Sequence, residues 1–244
     1  MIDRGTTLEA LREGEIEIIG RIVASSNNAL LVTVTQVCPD PGPSVVVDAI
    51  YKPILGERPL DDFPDGTLAR REVAAWHVSE ASGWGIVPPT ILRDGPFGEG
   101  MVQAFIETDP DVDVVALVVE DDPRLRRMAV LDAVMNNTDR KGGHILPVDG
   151  GRHVYGVDHG VTFSPVPKLR TVLWGWRGQP LDTEELEALE RIRTALDAEL
   201  GETLAGLLSR VEVRATTRRT EALLAAGRFP FPSAEWPAIP WPPF

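Results

Sequence analysis

LDAVMNNTDRKGGHILPVDGGRHVYGVDHG, residues 131–160, joins a helix-like run to a short hairpin through loops that each carry an aspartate. An apolar helix runs into Asn136-Asn137-Thr138-Asp139-Arg140, and a glycine-softened loop, Lys141-Gly142-Gly143-His144, follows. Ile145–Val148 and His153–Val157 read as two short strands joined by a turn at Asp149-Gly150-Gly151, because glycine and aspartate tolerate tight-turn backbone angles. The second strand ends in Asp158-His159-Gly160. Two carboxylates, Asp139 and Asp158, therefore stand at loop mouths beside a small hairpin.

The chain before this stretch is mostly strand-like. Residues 1–15 suggest a short amphipathic helix capped by Thr7. Glu15–Val23 and Ala29–Val34 alternate and should pair as a hairpin around Ser25-Ser26-Asn27-Asn28. That small polar tip is either an ordinary turn or a backbone cradle for an anion. Ser44–Pro53 is a third strand with Lys52 near its end, where a lysine either is solvated or binds something. Thr67 is placed to cap a helix over Leu68–Ala81. Glu72, Ala75, Trp76 and Ser79 share one face of it. A carboxylate on such a face wants a cation; Lys52 is one candidate, Arg70 or Arg71 another. Proline-interrupted Ile86–Leu92 reads as an edge strand, and Gly100–Glu107 as its neighbour.

After the central stretch the pattern turns helical. Asp122-Pro123 opens the buried helix that carries Asp132, an acid that needs a partner. Asp182 and Glu185 form a capping box, and Leu204–Val211 and Thr217–Ala226 suggest two further helices. Trp174 and Trp176 are either core or docking residues, and Arg210, Arg214, Arg218 and Arg219 are either a solvated face or a phosphate-binding one. Residues 229–244 hold prolines and aromatics that exclude helix and central strand. They form either a packed strap or a ligand for a protein partner.

The totals set limits. At 244 residues with net charge −13, the chain can bury a large core but repels nucleic acid and anionic bilayers. The single cysteine, Cys38, allows no internal disulfide and suits a reducing, cytoplasmic setting. No apolar run is long enough for a membrane anchor.

Two aspartates on loops, a strand lysine and a helix glutamate are the parts phosphoryl transfer needs: groups to position a hydroxyl, hold a metal and neutralise phosphate. Their order resembles a protein-kinase-like fold. The motif wording resembles the phosphatidylinositol 3-/4-kinase group, notably type II phosphatidylinositol 4-kinases, together with bacterial HipA-type kinases and small actinobacterial relatives. The resemblance spans roughly residues 20–163. It implies an α+β, two-lobed architecture: an N-terminal antiparallel sheet with one helix over 1–108, a mainly helical C-terminal lobe over 109–228 and a Pro-rich tail over 229–244. It further implies an ATP-dependent kinase with a hydroxyl acceptor in a lipid headgroup, a protein Ser/Thr or a small molecule. Ser25, Ser26 and Asn27 would cover the phosphates, and Lys52, paired with Glu72, would hold them. Gln103, Ala104, Phe105, Ile106 and Glu107 would form the adenine hinge. Asp139 would orient the acceptor hydroxyl and Asp158 would bind Mg²⁺ or Mn²⁺. One departure stands out: His144 occupies the place of a metal-binding asparagine. Either His144 is a metal ligand that tilts preference to Mn²⁺, or a metal position is lost and the chain is a weak or inactive nucleotide-binding docking module.

Overall fold

The computed structural model describes residues 3–22, 28–37 and 44–244. The chain divides into two compact units, 1–73 with 88–106 and 74–87 with 107–244.

The first unit is built on five antiparallel strands. They are β1 (Glu15–Arg21), β2 (Leu30–Gln36), β3 (Val45–Pro53), β4 (Thr90–Gly95) and β5 (Gly98–Ala104), ordered β1-β2-β3-β5-β4. The expected hairpin forms, with Ile16 opposite Val34 and Ile18 opposite Val32. Val32, Val34, Ala49, Tyr51 and Val102 alternate inward and pack on Ala10 and Leu11 of helix α1 (Arg4–Glu13). The cap of α1 is Asp3, whose side chain accepts from the amides of Gly5 and Thr6, and not Thr7. Asp3 lies one position before the first helical residue, where its carboxylate meets the orphan amides. The fourth strand begins later than expected, at Thr90, because Pro88 and Pro89 have no amide to give a ladder.

Helix α2 (Leu68–Ser82) starts where expected but is capped differently. Thr67 turns its hydroxyl to Pro64 O (2.7 Å), while Glu57 accepts from the amides of Leu68 (3.0 Å) and Ala69 (2.7 Å). A carboxylate at a helix N-terminus satisfies orphan donors and meets the positive end of the macrodipole.

The second unit is centred on α4 (Arg126–Met135), in which every residue from Met128 to Met135 is buried. Around it lie α3 (Val114–Val119), the hairpin β6 (Ile145–Val148)/β7 (His153–Gly156), α5 (Thr183–Leu196), α6 (Glu199–Leu207) and α7 (Arg210–Ala226). The Asp182–Glu185 capping box opens α5 as expected. Ser209 and Glu212 form another on α7, which makes that helix start earlier than Thr217. Trp174 and Trp176 are core residues. Arg219 is not on a solvated face: it donates to Val134 O (2.8 Å) and Ser164 O (3.2 Å). Burial, with Arg218 nearby, lowers its pKa to about 10, so it remains cationic at neutral pH.

Leu131 is 1% exposed and Leu55 is 90% exposed. Leu131→Ala is therefore expected to cost ~3 kcal/mol through lost burial and a residual cavity, and Leu55→Ala less than ~0.5 kcal/mol. Urea denaturation of the two variants checks the contrast.

Candidate active site

In the first unit, β3 delivers Lys52 and α2 delivers Glu72. Lys52 Nζ lies 2.7 Å from Glu72 Oε1. The lysine side chain is 17% exposed and the glutamate 2%, so the carboxylate is internal and the ammonium reaches outward from it. Arg70 bonds Glu99 (2.7 Å), and the Arg71 guanidinium lies over the Phe63 ring. Gln103 turns its side chain into the sheet, donating to Thr90 Oγ1 (2.8 Å). The amides of Ala104 and Phe105 donate to Pro89 O and Asp48 O. Among the described residues the amides of Ile106 and Glu107 show no such backbone partner. Ser25, Ser26 and Asn27 lie outside the described residues.

In the second unit, α4 stops at Asn136, whose left-handed backbone (φ 52°) turns the chain sharply. Asn136 fastens the turn by donating to Ser164 O and Val166 O and accepting from Lys168 N. Asn137 Oδ1 accepts from Asp139 N (3.0 Å), and Asn137 Nδ2 donates to Asp132 Oδ1 (2.9 Å). The Asp139 carboxylate is thereby presented at the surface of this unit, 32% exposed, with Lys141 Nζ at 3.1 Å from Oδ2.

Beneath it lies a fully buried ion pair. Arg140 donates to both oxygens of Asp132, at 3.0 Å from Nε to Oδ2 and 3.0 Å from Nη2 to Oδ1. Both side chains are 0% exposed. The same guanidinium donates through Nη1 to Val157 O (2.9 Å) and His144 O (3.3 Å), and Nη2 lies 2.7 Å from His159 Nε2. Arginine has no acceptor, so His159 Nε2 accepts and the ring is the neutral Nδ1–H form. Arg140 thus joins the loop of Asp139 to the loop of Asp158.

Asp158 adopts a left-handed backbone (φ 61°), which a non-glycine residue holds only against a steric cost. Its carboxylate is 43% exposed, and Oδ2 lies 3.3 Å from His144 Nε2. Burial, its largest influence, lowers the His144 pKa against the opposing pull of Asp158. Octahedral ligands at about 2.1 Å stand about 3.0 Å apart, so Nε2 and Oδ2 converge at a spacing one divalent ion can share. His144 Nδ1 is buried with no partner among the described residues, and it lacks the acceptor that usually orients a metal-bound imidazole. No group of three or more His, Cys, Asp or Glu metal donors occurs among the described residues. The donors present fit an ion that takes its remaining ligands from phosphate and water.

Asp132, Asn137, Arg140 and Lys141 are contributions the sequence reading did not assign. The one available signal was charge in a helix apolar on most sides: buried Asp132 required a partner.

These two clusters sit in a fold of the kinase class. The structure resembles the Helicobacter pylori proinflammatory kinase CtkA with a TM-score of 0.54 and 13% identity, over 90% of this chain and 94% of that one. A fainter likeness, TM-score 0.43 at 10% identity, is to a Shewanella oneidensis MR-1 HipA–HipB–operator DNA complex, over 92% of this chain and 70% of that one. At sequence level the chain belongs to the family of protein Rv2133c of Mycobacterium tuberculosis, with 42% identity across 96% of this chain and 94% of that protein. No family model matches.

Arg140→Ala leaves Asp132 buried without its counter-charge, and a loss of ~3–5 kcal/mol is expected. Replacing both, Asp132→Leu with Arg140→Met, should recover much of that stability while leaving the Asp139 loop unfastened. Thermal denaturation of single and double variants reads the difference.

Proposed function

We propose that this protein is an ATP-dependent kinase that transfers the γ-phosphate to a hydroxyl acceptor. The observation that carries the reading is the Lys52–Glu72 pair, 2.7 Å apart with the carboxylate internal. A buried glutamate that aims an ammonium outward is a phosphate-holding device, and it stands on the strand and helix where kinase-type folds keep one. The proposed division is a nucleotide-holding lobe over 1–108, a transfer lobe over 109–228 and the tail over 229–244.

In this mechanism Lys52 neutralises the non-transferred phosphates. The backbone at Ile106 and Glu107 is the part of the expected hinge best suited to the adenine edge. Asp139 accepts a hydrogen bond from the acceptor hydroxyl and aligns its oxygen for in-line attack. Lys141 places a second positive charge beside Asp139, where charge on the transferred group is greatest. Asp158 and His144 would hold Mg²⁺ or Mn²⁺, which supplies charge neutralisation on the phosphates when bound. Because His144 Nδ1 lacks an acceptor, the ion should bind weakly without nucleotide and firmly with it. Imidazole among the ligands favours Mn²⁺ over Mg²⁺.

The acceptor class is open to direct comparison. The motif wording favours the phosphatidylinositol 3-/4-kinase group, whereas the net charge of −13 disfavours an anionic bilayer surface. Among the described residues no helix is long and apolar enough to cross a membrane.

Purified protein should consume ATP with Mn²⁺ when offered its acceptor from a panel of inositol lipid, peptide and small polyol. Asp139→Asn and Asp158→Asn should each lower the rate at least ~100-fold, about 2.7 kcal/mol of transition-state stabilisation. His144→Asn should move metal preference toward Mg²⁺. Unchanged metal preference in that variant would remove His144 from the site. ATP that binds and is never consumed, with either metal and any acceptor, would favour the docking-module reading.

A further inference from the structure

The Pro-rich tail is a packed strap on the second unit, and most of it does not serve the core. Its first residue is the anchor. Phe229 is 3% exposed, exchanges backbone hydrogen bonds with Gln179 and Gly178, and lies under the Arg126 guanidinium at 4.8 Å. Beyond Phe229 several apolar residues stay exposed, Phe231 at 67%, Ile239 at 49%, Trp241 at 85% and Phe244 at 49%, while Pro240 is buried and Trp236 half-buried.

What those later residues touch is the machinery around Asp139. Residues 170–172 form a rung between the catalytic loop and the strap. On one side, Arg170 N donates to Asn137 O, Arg140 N to Arg170 O and Val172 N to Arg140 O. On the other, Thr171 N donates to Ala238 O (3.0 Å), and Arg170 Nε to Pro237 O (3.2 Å). Trp174 Nε1 also donates to Ala238 O (2.8 Å), and Lys168 Nζ lies 4.2 Å from the centre of the Trp236 ring. The strap then reaches the catalytic loop directly: Gly142 N donates to Pro243 O (2.8 Å). The Phe244 ring occupies the space beside Gly142 that any side chain there would need. Gly142 adjoins Lys141 and is three residues from Asp139.

We infer that residues 236–244 are positioning residues that fix the Asp139–Lys141 loop, with Phe244 on Gly142 as the principal contact. The inference rests on the reading of Asp139 as the residue that orients the acceptor. A segment so rich in proline is already stiff, so it holds the loop at a small cost in chain entropy. Two of its partners, the amides of Gly142 and Thr171, are backbone donors of loops, groups that drift when nothing satisfies them. The strap supplies an order to the catalytic loop that glycines at 142 and 143 would otherwise forgo.

The test uses the full chain, Mn²⁺-ATP and the acceptor found above. Phe244→Ala should lower kcat about tenfold with KM for ATP within about twofold, and Phe244→Tyr should restore most of it. Gly142→Ala, which displaces the same ring, should match Phe244→Ala, and the double variant should be no worse than either single one. Hydrogen exchange at the Gly142 amide should quicken in Phe244→Ala. Faster exchange there with unchanged kcat would overturn the inference and leave the strap a cover alone, as would strictly additive losses in the double variant. No phosphoryl transfer by the unaltered protein would overturn the kinase reading, and this inference with it.

Discussion

One buried ion pair, Arg140 on Asp132, ties together the loops that carry Asp139 and Asp158 in the second unit. Both charges are out of water, which costs several kcal/mol per ion unless the geometry returns it. Here the guanidinium spends every donor nitrogen: on the two carboxylate oxygens, on the carbonyls of His144 and Val157, and on the ring of His159. Four segments of chain meet at one planar cation: the end of α4, the Asp139 loop, the start of β6 and the Asp158 turn. A lysine has no such fork and would hold one of them at a time. The pair is weak evidence for stability as such. Its effect is positional, because Asp158 directly follows the fastened carbonyl of Val157 and Asp139 directly precedes Arg140 itself.

The same economy appears in the first unit, where acids do local work. Glu57 closes the start of α2 from eleven positions upstream, and Glu72 holds Lys52 from the second turn of that helix. Neither acid is spent on a surface pair, which would contribute little. The strap adds a third kind of restraint, in which prolines pre-stiffen a segment and its carbonyls collect stray amides.

Much of this was legible in the sequence, and the limits have a physical pattern. Strand alternation gave the hairpins, and the capping box gave the start of α5, because both signals are local. Glu72 asked for a cation because it shares a helix face with Ala75 and Trp76. The distant cap from Glu57, the burial of Arg219 and the partners of Asp132 were not legible, since each depends on what the fold brings near from other segments. Arg140 read as part of a loop motif and proved to be fully buried, as is its partner Asp132. The tail showed by composition only what it could not be; its carbonyl partners at Gly142, Thr171 and Trp174 come from tertiary placement. Asp139, Asp158, Lys52 and His144 were legible as candidates because phosphoryl transfer restricts residue type more tightly than packing does.

The central claim is that these groups act on the terminal phosphate of ATP. Following ³²P from ATP labelled at the γ or at the α position tests it most directly. The account predicts that γ-label moves to the acceptor in the presence of Mn²⁺ while α-label stays entirely in ADP. Transfer of α-label to the acceptor, or intact ATP after prolonged incubation with every acceptor class, would contradict it.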